Sequence, residues 1–197
     1  MNWVKYLQVI STQHCDCLNK LIEPTVELVI TAPEPFAGPL AYRTRCRTTI
    51  GVLTQLIAEA ERHVIIAAPF MQSGYGLSSG TLADALRSAL HRGADVDVLS
   101  TAQSLKTIHQ TNLAQDSIGR LRFFQPAAHL ADDQQLGSHA KFCVADSQLA
   151  YVGSANLTGR GLSGQMEMGV LIRGSVARQI EQFWDCAVEL GLFVLVT

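Results

Sequence analysis

A histidine and a lysine lie two residues apart in the apolar stretch GSHAKFCVADSQLAYVGSAN, residues 137–156. The apolar positions predict a strand, on which side chains two residues apart share one face at a separation of roughly 7 Å. His139 and Lys141 are therefore expected to project together. Both are costly to bury without a partner, so the strand either exposes them at an edge or presents them to an anionic ligand.

Polar residues further along complete a set of groups with complementary chemistry. Ser154 and Asn156 lie in a Gly-Ser-x-Asn turn, and a hairpin would return them to the side of the histidine and lysine. Glu167 is a lone carboxylate between two methionines. Each residue alone is most simply structural or solvent-facing. Together they supply a nucleophile, a fixed cation, an amide donor and a carboxylate that can hold an imidazole tautomer, which are the groups needed to attack a phosphodiester.

Asp146 has a different predicted place from these residues. Its parity along the strand is opposite to that of His139, and it lies where the strand should turn. We therefore expect Asp146 to brace the backbone or the neighbouring strand rather than to touch what His139 touches.

The elements that position these residues alternate between strand and helix. This alternation predicts an α/β single domain with a mixed, mostly parallel central sheet flanked by helices, and with antiparallel pairing near the end of the chain. The proline-rich residues 33–42 predict a loop, and Thr44 is the predicted N-cap of the first helix of the alternation. The predicted strands are 25–33, 63–70, 95–100, 120–124, two within 139–153, and 166–174, and the predicted helices are 44–62, 81–93, 102–118 and 175–190.

Composition bounds the kind of protein. The chain has 197 residues, of which 48% are hydrophobic and 16% charged, with a net charge of −2. These values favour one domain with a substantial core and exclude a disordered chain or a globally basic binder. No stretch approaches the ~20 apolar residues of a membrane span. We expect an N-terminal helical segment over residues 1–24 and a single domain over 25–197.

Two short motifs suggest cofactors only weakly. The tetrad HCDC at 14–17 lacks a second ligand pair at zinc spacing. The stretch GYGLSSG at 74–80 has its third glycine one residue late for a dinucleotide loop. The five cysteines follow no regular spacing and no secretion signal precedes them, which predicts free thiols in a reducing, cytoplasmic compartment. We expect no cofactor.

The segment HAKFCVAD resembles the H-x-K-x-x-x-x-D motif of the phospholipase D superfamily, and GSAN with Glu167 matches the elements that follow this motif there. The chain from about 44 to 190 is also similar to the phospholipase D-like component of the DISARM anti-phage defence systems. VELVITAP, the pair Arg43-Thr44 and GSANLTG at 153–159 carry that narrower likeness. The domain over 25–197 would then be a phospholipase D-like catalytic domain.

The resemblance implies a role for each motif residue. His139 would attack phosphorus and form a phosphohistidine. Glu167 would accept a hydrogen bond from the other ring nitrogen of His139, and Asp146 would stabilise the motif strand. The residues expected to hold the non-bridging oxygens are Lys141 and Asn156, supported by Ser154.

Such a mechanism uses no metal and needs a second histidine. No carboxylate cluster suggests a metal ion, since a lysine-centred phosphate site needs none. His14, His63, His91, His109 and His129 each lack a lysine two residues on. We therefore expect a homodimer whose two-fold axis brings two copies of the catalytic histidine face to face.

Three functions remain open from the sequence. The first is a nuclease acting on DNA or RNA, the second is a lipid phosphodiesterase, and the third is a non-catalytic nucleic-acid-binding subunit of a defence complex. No basic amphipathic or lipidation motif points to a membrane. For the first, Arg43, Arg45 and Arg47 are expected to bind substrate phosphates, unless they merely balance nearby carboxylates. Arg120, Arg122 and Arg160 are expected to extend the patch.

Overall fold

The computed structural model describes residues 25–72, 77, 79–109, 113–130 and 136–196. The predicted N-terminal helix, the HCDC tetrad and most of GYGLSSG lie outside these residues. The strands are β1 (Val26–Thr31), β2 (Arg47–Thr48), β3 (His63–Ala67), β4 (Asp95–Leu99), β5 (Leu121–Pro126), β6 (Phe142–Ala145), β7 (Leu149–Gly153), β8 (Glu167–Arg173) and β9 (Phe193–Leu195). The helices are α1 (Ala37–Thr44), α2 (Thr49–Glu59), α3 (Thr81–Arg92), α4 (Ala102–His109) and α5 (Ser175–Glu189). Short 3-10 and π turns span Ala128–Leu130 and Arg160–Gly164.

Helices cover both faces of one sheet, whose strand order in the described residues is β2-β1-β8-β7-β6-β3-β4-β5-β9. One core packs leucines of α2 and α3 against the sheet, including Leu56 and Leu86. The other core packs α5 against the opposite face, with Trp184 stacked beside Phe193 at a centroid distance of 5.6 Å. The central strands are therefore buried on both sides, which explains their continuous apolar sequence.

The mixed, helix-covered α/β sheet is confirmed, but parallel pairing does not dominate it. Within the described residues three strand pairs are parallel (β1–β2, β3–β4, β4–β5) and five are antiparallel. Connection length accounts for two of the antiparallel pairs, β6–β7 and β7–β8, because a parallel pair needs a long crossover. The link from β6 to β7 is too short for one, and β7 reaches β8 without a helix crossing the sheet.

Several local boundaries also differ from the prediction. A helix, α1, occupies part of the predicted proline-rich loop. The next helix begins five residues later than predicted, because Thr48 rather than Thr44 caps it, accepting a hydrogen bond from the Gly51 N–H over 3.3 Å. The predicted helix over 102–118 ends at His109 within the described residues.

One edge of the sheet collects the ends of seven strands. The parallel strands β3, β4 and β5 finish there, and β6, which is antiparallel to β3, starts there because Phe142 pairs with Ala67. Strand β7 ends opposite the start of β6, and β1 ends where Thr31 pairs with Glu167 at the start of β8. We call this side the catalytic edge, since the predicted site residues other than Asp146 and the arginines lie along it.

Candidate active site

His139 and Lys141 meet at the catalytic edge, directly before β6 rather than within it. The Lys141 Nζ lies 3.1 Å from Nδ1 and 3.3 Å from Nε2 of His139, and it donates to the His139 carbonyl oxygen over 2.9 Å. The two nearly equal distances place the ammonium within reach of both ring nitrogens. A ring nitrogen that carries a lone pair can accept from this group, because an ammonium can only donate, and a lone pair is also what a nucleophile requires.

Lys141 is buried while His139 is exposed. Burial lowers the pKa of the Lys141 ammonium, and the negative charge of Glu167 acts in the opposite direction. The backbone around the lysine is fixed, since the Gly153 N–H donates to the Lys141 carbonyl over 3.2 Å. The site thus holds a desolvated cation beside an accessible imidazole.

Glu167 does not accept a hydrogen bond from His139 of the same chain. The Ser154 hydroxyl and the Gln165 side-chain amide donate to its two carboxylate oxygens. The Met168 N–H in turn donates to Ser154 Oγ over 3.1 Å. The expected pairing of Glu167 with His139 is thus not made within one chain, because the strand pairing places Ser154 between them. Sequence reasoning missed Gln165, which carries no motif signal beyond its position two residues before Glu167.

Asn156 lies in the turn after β7, as expected. Its Oδ1 is buried and has no hydrogen-bond partner among the residues that the structure describes. A buried amide oxygen without a partner is costly. The Asn156 amide oxygen is therefore a polar atom of this turn that the described residues leave unpaired.

A buried tyrosine lies in β7, the strand that precedes the turn with Asn156. Tyr151 packs its ring against two glycines of β7 and β8, where a Cβ on Gly153 or Gly169 would come within 2.6 Å of ring carbons. Burial is the main cause that raises the pKa of the Tyr151 hydroxyl, and the charge of Glu167 adds to it. Sequence reasoning missed this residue because it resembles any apolar strand position.

Asp146 lies at the other end of β6, away from His139. It occupies a tight β6–β7 turn at φ 54°, and its carboxylate accepts hydrogen bonds from the backbone N–H groups of Glu61, Arg62 and His63 over 2.8 to 2.9 Å. It is a brace that ties the motif strand to the start of β3, as its parity predicted.

The arginine segment lies at the outer edge of the sheet. Arg43 and Arg45 are exposed at the end of α1, while Arg47 in β2 donates to Gln55 Oε1 over 2.5 Å. Strands β1 and β8 separate β2 from β7, a distance of roughly 14 Å at the usual strand spacing. These arginines therefore lie too far from His139 to bind the same phosphate, although a longer ligand could reach both.

Arg120 and Arg122 do not join that patch. Arg120 pairs with Asp95 over 2.5 Å, and Arg122 pairs with Asp97 over 2.6 Å. Their positive charges are balanced, so the expectation that they extend a phosphate-binding surface is wrong. Arg160 differs, because it lies in the turn that follows Asn156 and has no ion pair among the described residues.

Two kinds of feature are absent from the described residues, a cluster of metal ligands and a membrane-spanning helix. The described residues contain no group of three or more histidine, cysteine, aspartate or glutamate side chains that could hold a metal ion. Nor do they include a helix with the length and hydropathy to span a bilayer. Cys46, Cys143 and Cys186 are free thiols.

Comparison with known families gives a match over most of the chain. Residues 53–186 match the family model described as the cardiolipin synthase, PLD-like domain. No curated protein matches the chain.

Solved structures share the fold at low sequence identity. A phospholipase D family member, Nuc from Salmonella typhimurium, superposes with a TM-score of 0.58 at 18% identity, covering 87% of this chain and 99% of that one. NucT from Helicobacter pylori gives 0.56 at 16% identity, covering 85% and 97%. Phosphatidylserine synthase from Haemophilus influenzae gives 0.56 at 12% identity, covering 88% of this chain and 40% of its own.

Proposed function

The chain belongs to the family described as the cardiolipin synthase, PLD-like domain, and from that premise we propose that it is a metal-independent nuclease acting through a phosphohistidine. The observation that carries the proposal is the contact between the His139 imidazole and the buried Lys141 ammonium at an open sheet edge. A nucleophile and an oxyanion-stabilising cation are the two groups that attack on a phosphodiester requires first.

The proposed reaction has two displacements at phosphorus. In the first, a lone pair of His139 forms a nitrogen–phosphorus bond while the bond to the leaving oxygen breaks, and an acid protonates that oxygen. In the second, water attacks the phosphohistidine, the nitrogen–phosphorus bond breaks, and a base takes the water proton. Lys141 and Asn156 hold the non-bridging oxygens in both steps.

We propose that the acid and base is His139 of a second copy of the chain. The exposed imidazole opens onto a cleft of about 450 Å³ between the end of β7 and α5. Val152, Ile180 and Phe183 give that cleft an apolar wall, and Phe183 is about half exposed. An isologous contact across this wall would bury apolar surface and bring the two histidines together. The alternative donor within one chain is His129, which is exposed just after β5 at the same edge.

Nucleic acid is favoured over lipid by the distribution of cations. Arg43, Arg45 and Arg160 have no ion pairs among the described residues. Arg43 and Arg45 lie just before β2, at the outer side of the sheet, and Arg160 lies in the turn that follows Asn156. A polyanion can contact such a dispersed series, whereas one lipid headgroup cannot. The lipid alternative rests on the apolar cleft beside His139, which could take an acyl chain.

We further propose a cytoplasmic role in anti-phage defence of the DISARM kind. The support is the motif likeness of VELVITAP, Arg43-Thr44 and GSANLTG. A non-catalytic subunit would have no need of a buried lysine against an exposed imidazole, so the site geometry favours an active enzyme within such a system.

The test is incubation of the purified chain with labelled single- and double-stranded DNA and RNA in excess EDTA, with phosphatidylglycerol vesicles as a lipid arm. We expect cleavage of nucleic acid by the wild-type chain and none by His139→Ala. Cleavage of lipid alone would replace the nuclease with the lipid phosphodiesterase. Binding without cleavage of any substrate would favour the subunit, and activity that EDTA abolishes would contradict metal-independent chemistry.

A further inference from the structure

A polar cleft beside the catalytic edge is not used by the proposed reaction. It has a volume of about 440 Å³ and is open to solvent. Its side chains come from the segment after β3 and from the turn that follows Asn156. The lining residues are Gln72, Thr158, Gly159, Arg160, Ser163 and Gly164.

Arg160 provides the charge of this cleft, and its backbone is held next to the site. The Gln165 N–H donates to the Arg160 carbonyl over 2.9 Å, and the Gln165 side chain donates to Glu167. The adjacent Gly161 lies very close to the turn that carries Asn156, because a Cβ added to Gly161 would come within 3.0 Å of the Asn156 backbone nitrogen. The guanidinium is therefore carried by backbone that directly contacts a site residue, and it is exposed without an ion pair among the described residues.

Phe70 adds an aromatic surface next to the cleft. Residues 70–72 run extended beside Leu157, whose N–H donates to the Phe70 carbonyl over 3.2 Å and whose carbonyl accepts from the Gln72 N–H over 3.1 Å. Side chains alternate along extended backbone, so Phe70 and Gln72 project away from buried Met71 on a common side. Gln72 lines the cleft and 44% of Phe70 is exposed, so this alternation directs an exposed aromatic ring toward the side of the backbone that bears Gln72.

We propose that this cleft binds the nucleotide next to the scissile phosphodiester, with its phosphate on Arg160 and its base on the Phe70 ring, and that the substrate is therefore single-stranded. This proposal rests on the proposed function and specifies its substrate. A guanidinium fork matches phosphate oxygens in two hydrogen bonds. An exposed ring stacks on unpaired bases of any sequence, whereas the bases of a duplex already stack on each other.

The test measures binding of a labelled oligothymidylate to the full chain by fluorescence anisotropy, in a His139→Ala background that prevents cleavage. Phe70→Leu removes the aromatic face, and Phe70→Trp keeps one. We expect Phe70→Leu to weaken binding roughly 5- to 150-fold, the range of one base–aromatic stack, and Phe70→Trp to retain binding.

Arg160→Gln, with Arg160→Lys and Arg87→Gln as comparisons, tests the phosphate contact. Arg87 is a matched control because it is partly exposed on α3 and paired with Asp84. We expect Arg160→Gln to lower the slope of log affinity against log salt by about 0.7, the contribution of one contact to a single strand. Arg160→Lys should retain that slope, and Arg87→Gln should leave it unchanged.

Separate outcomes overturn the cleft and the proposed function. The cleft proposal fails if Phe70→Leu and Arg160→Gln both bind like their parent, or if a duplex of the same sequence competes as well as the single strand. It also fails if phosphatidylglycerol vesicles compete for the chain through the same two residues. Normal dependence of binding on both residues, with no cleavage by the chain that retains His139, would overturn the nuclease and support the cleft. Melting curves establish that each variant is folded, and the Trp and Lys variants provide the readout where a truncated variant is not.

Discussion

Two histidines near opposite ends of the same sheet have opposite surroundings. His139 at the catalytic edge is exposed and faces the Lys141 ammonium at 3.1 Å. His63, at the start of β3, lies between two carboxylates, with Nε2 3.0 Å from Asp97 and Nδ1 3.2 Å from Glu181. The same side chain therefore faces an ammonium group at one edge and two carboxylates at the other.

The His63 cluster joins α5 to the sheet through polar contacts in addition to the apolar core. Burial acts to lower the pKa of His63, but the hydrogen bonds and charges of Asp97 and Glu181 outweigh it and raise the pKa above 6.5. Asp97 is 2% exposed and also pairs with Arg122, while Ser147 donates to Glu181. Asp185 of α5 belongs to the same field, and its pKa is raised mainly by burial and then by Glu181. The cluster thus fastens α5 to the sheet and to the β6–β7 turn.

Residue type alone therefore does not identify the functional histidine. A cation beside an imidazole disfavours its protonation and suits a nucleophile, whereas carboxylates on both sides fix the charged form and suit a structural ion pair. Substitutions at the two histidines separate these two roles.

His139→Ala should abolish cleavage, with a fall in kcat of roughly 10⁴-fold or more because the nucleophile is lost. His63→Gln, at the other edge, should retain the rate per folded molecule and lower the melting temperature. Rates and melting curves of both variants, measured on the same substrate, check the contrast. Equal losses of rate in the two variants would remove the distinction between the edges.

Glu167→Gln should slow turnover by roughly 10²- to 10⁴-fold while the fold is kept. The carboxylate charge supports the Lys141 ammonium and fixes Ser154, so its loss should affect kcat more than KM.

A pH profile separates this role from simple loss of structure. Glu167 acts to raise the pKa of Lys141, so without its charge that pKa falls further and the alkaline limb of activity should move to lower pH. An unchanged rate and an unchanged alkaline limb would make Glu167 a packing residue.

Mixed dimers of wild type and His139→Ala test the shared site, and the expected fall in activity is smaller, about fourfold. If one site needs both copies of His139, intact pairs fall as the square of the wild-type fraction, and an equal random mixture retains about a quarter of the activity. If His129 or another histidine of the same chain serves as the acid, activity falls to about half. Co-expression with two tags isolates the heterodimers, and a half-maximal rate in these would contradict the shared site.

The smallest expected effect is the pH dependence of stability that His63 contributes. Because its folded-state pKa is raised, its contribution to the free energy of unfolding is complete below about pH 6.5 and is lost as pH rises through the folded-state value. Melting temperatures of wild type should therefore fall by a few degrees on going from pH 6 to alkaline pH. His63→Gln removes this component, and identical pH profiles for the two proteins would exclude it.

The sequence was sufficient to predict what depends on local pattern. Continuous apolar runs gave β3 and β4, and the motif spacing located His139, Lys141 and Asn156 at one edge. It could not predict which side chains pair with each other in the folded chain. The pairing of Arg122 with Asp97 depends on β4 and β5 being neighbours, and that of Glu167 with Gln165 depends on side-chain rotamers. The dominance of antiparallel pairs followed from the order of strands across the sheet, which alternation along the chain does not specify.

The stereochemical course at phosphorus tests most directly whether the site works through a covalent phosphohistidine. A single-stranded oligonucleotide with one chiral phosphorothioate linkage is cleaved by the wild-type chain in isotopically labelled water, and the configuration of the product is determined. Each in-line displacement inverts phosphorus, so attack by His139 followed by attack of water predicts net retention. Net inversion would mean that water attacks the diester directly, and it would contradict His139 as the nucleophile.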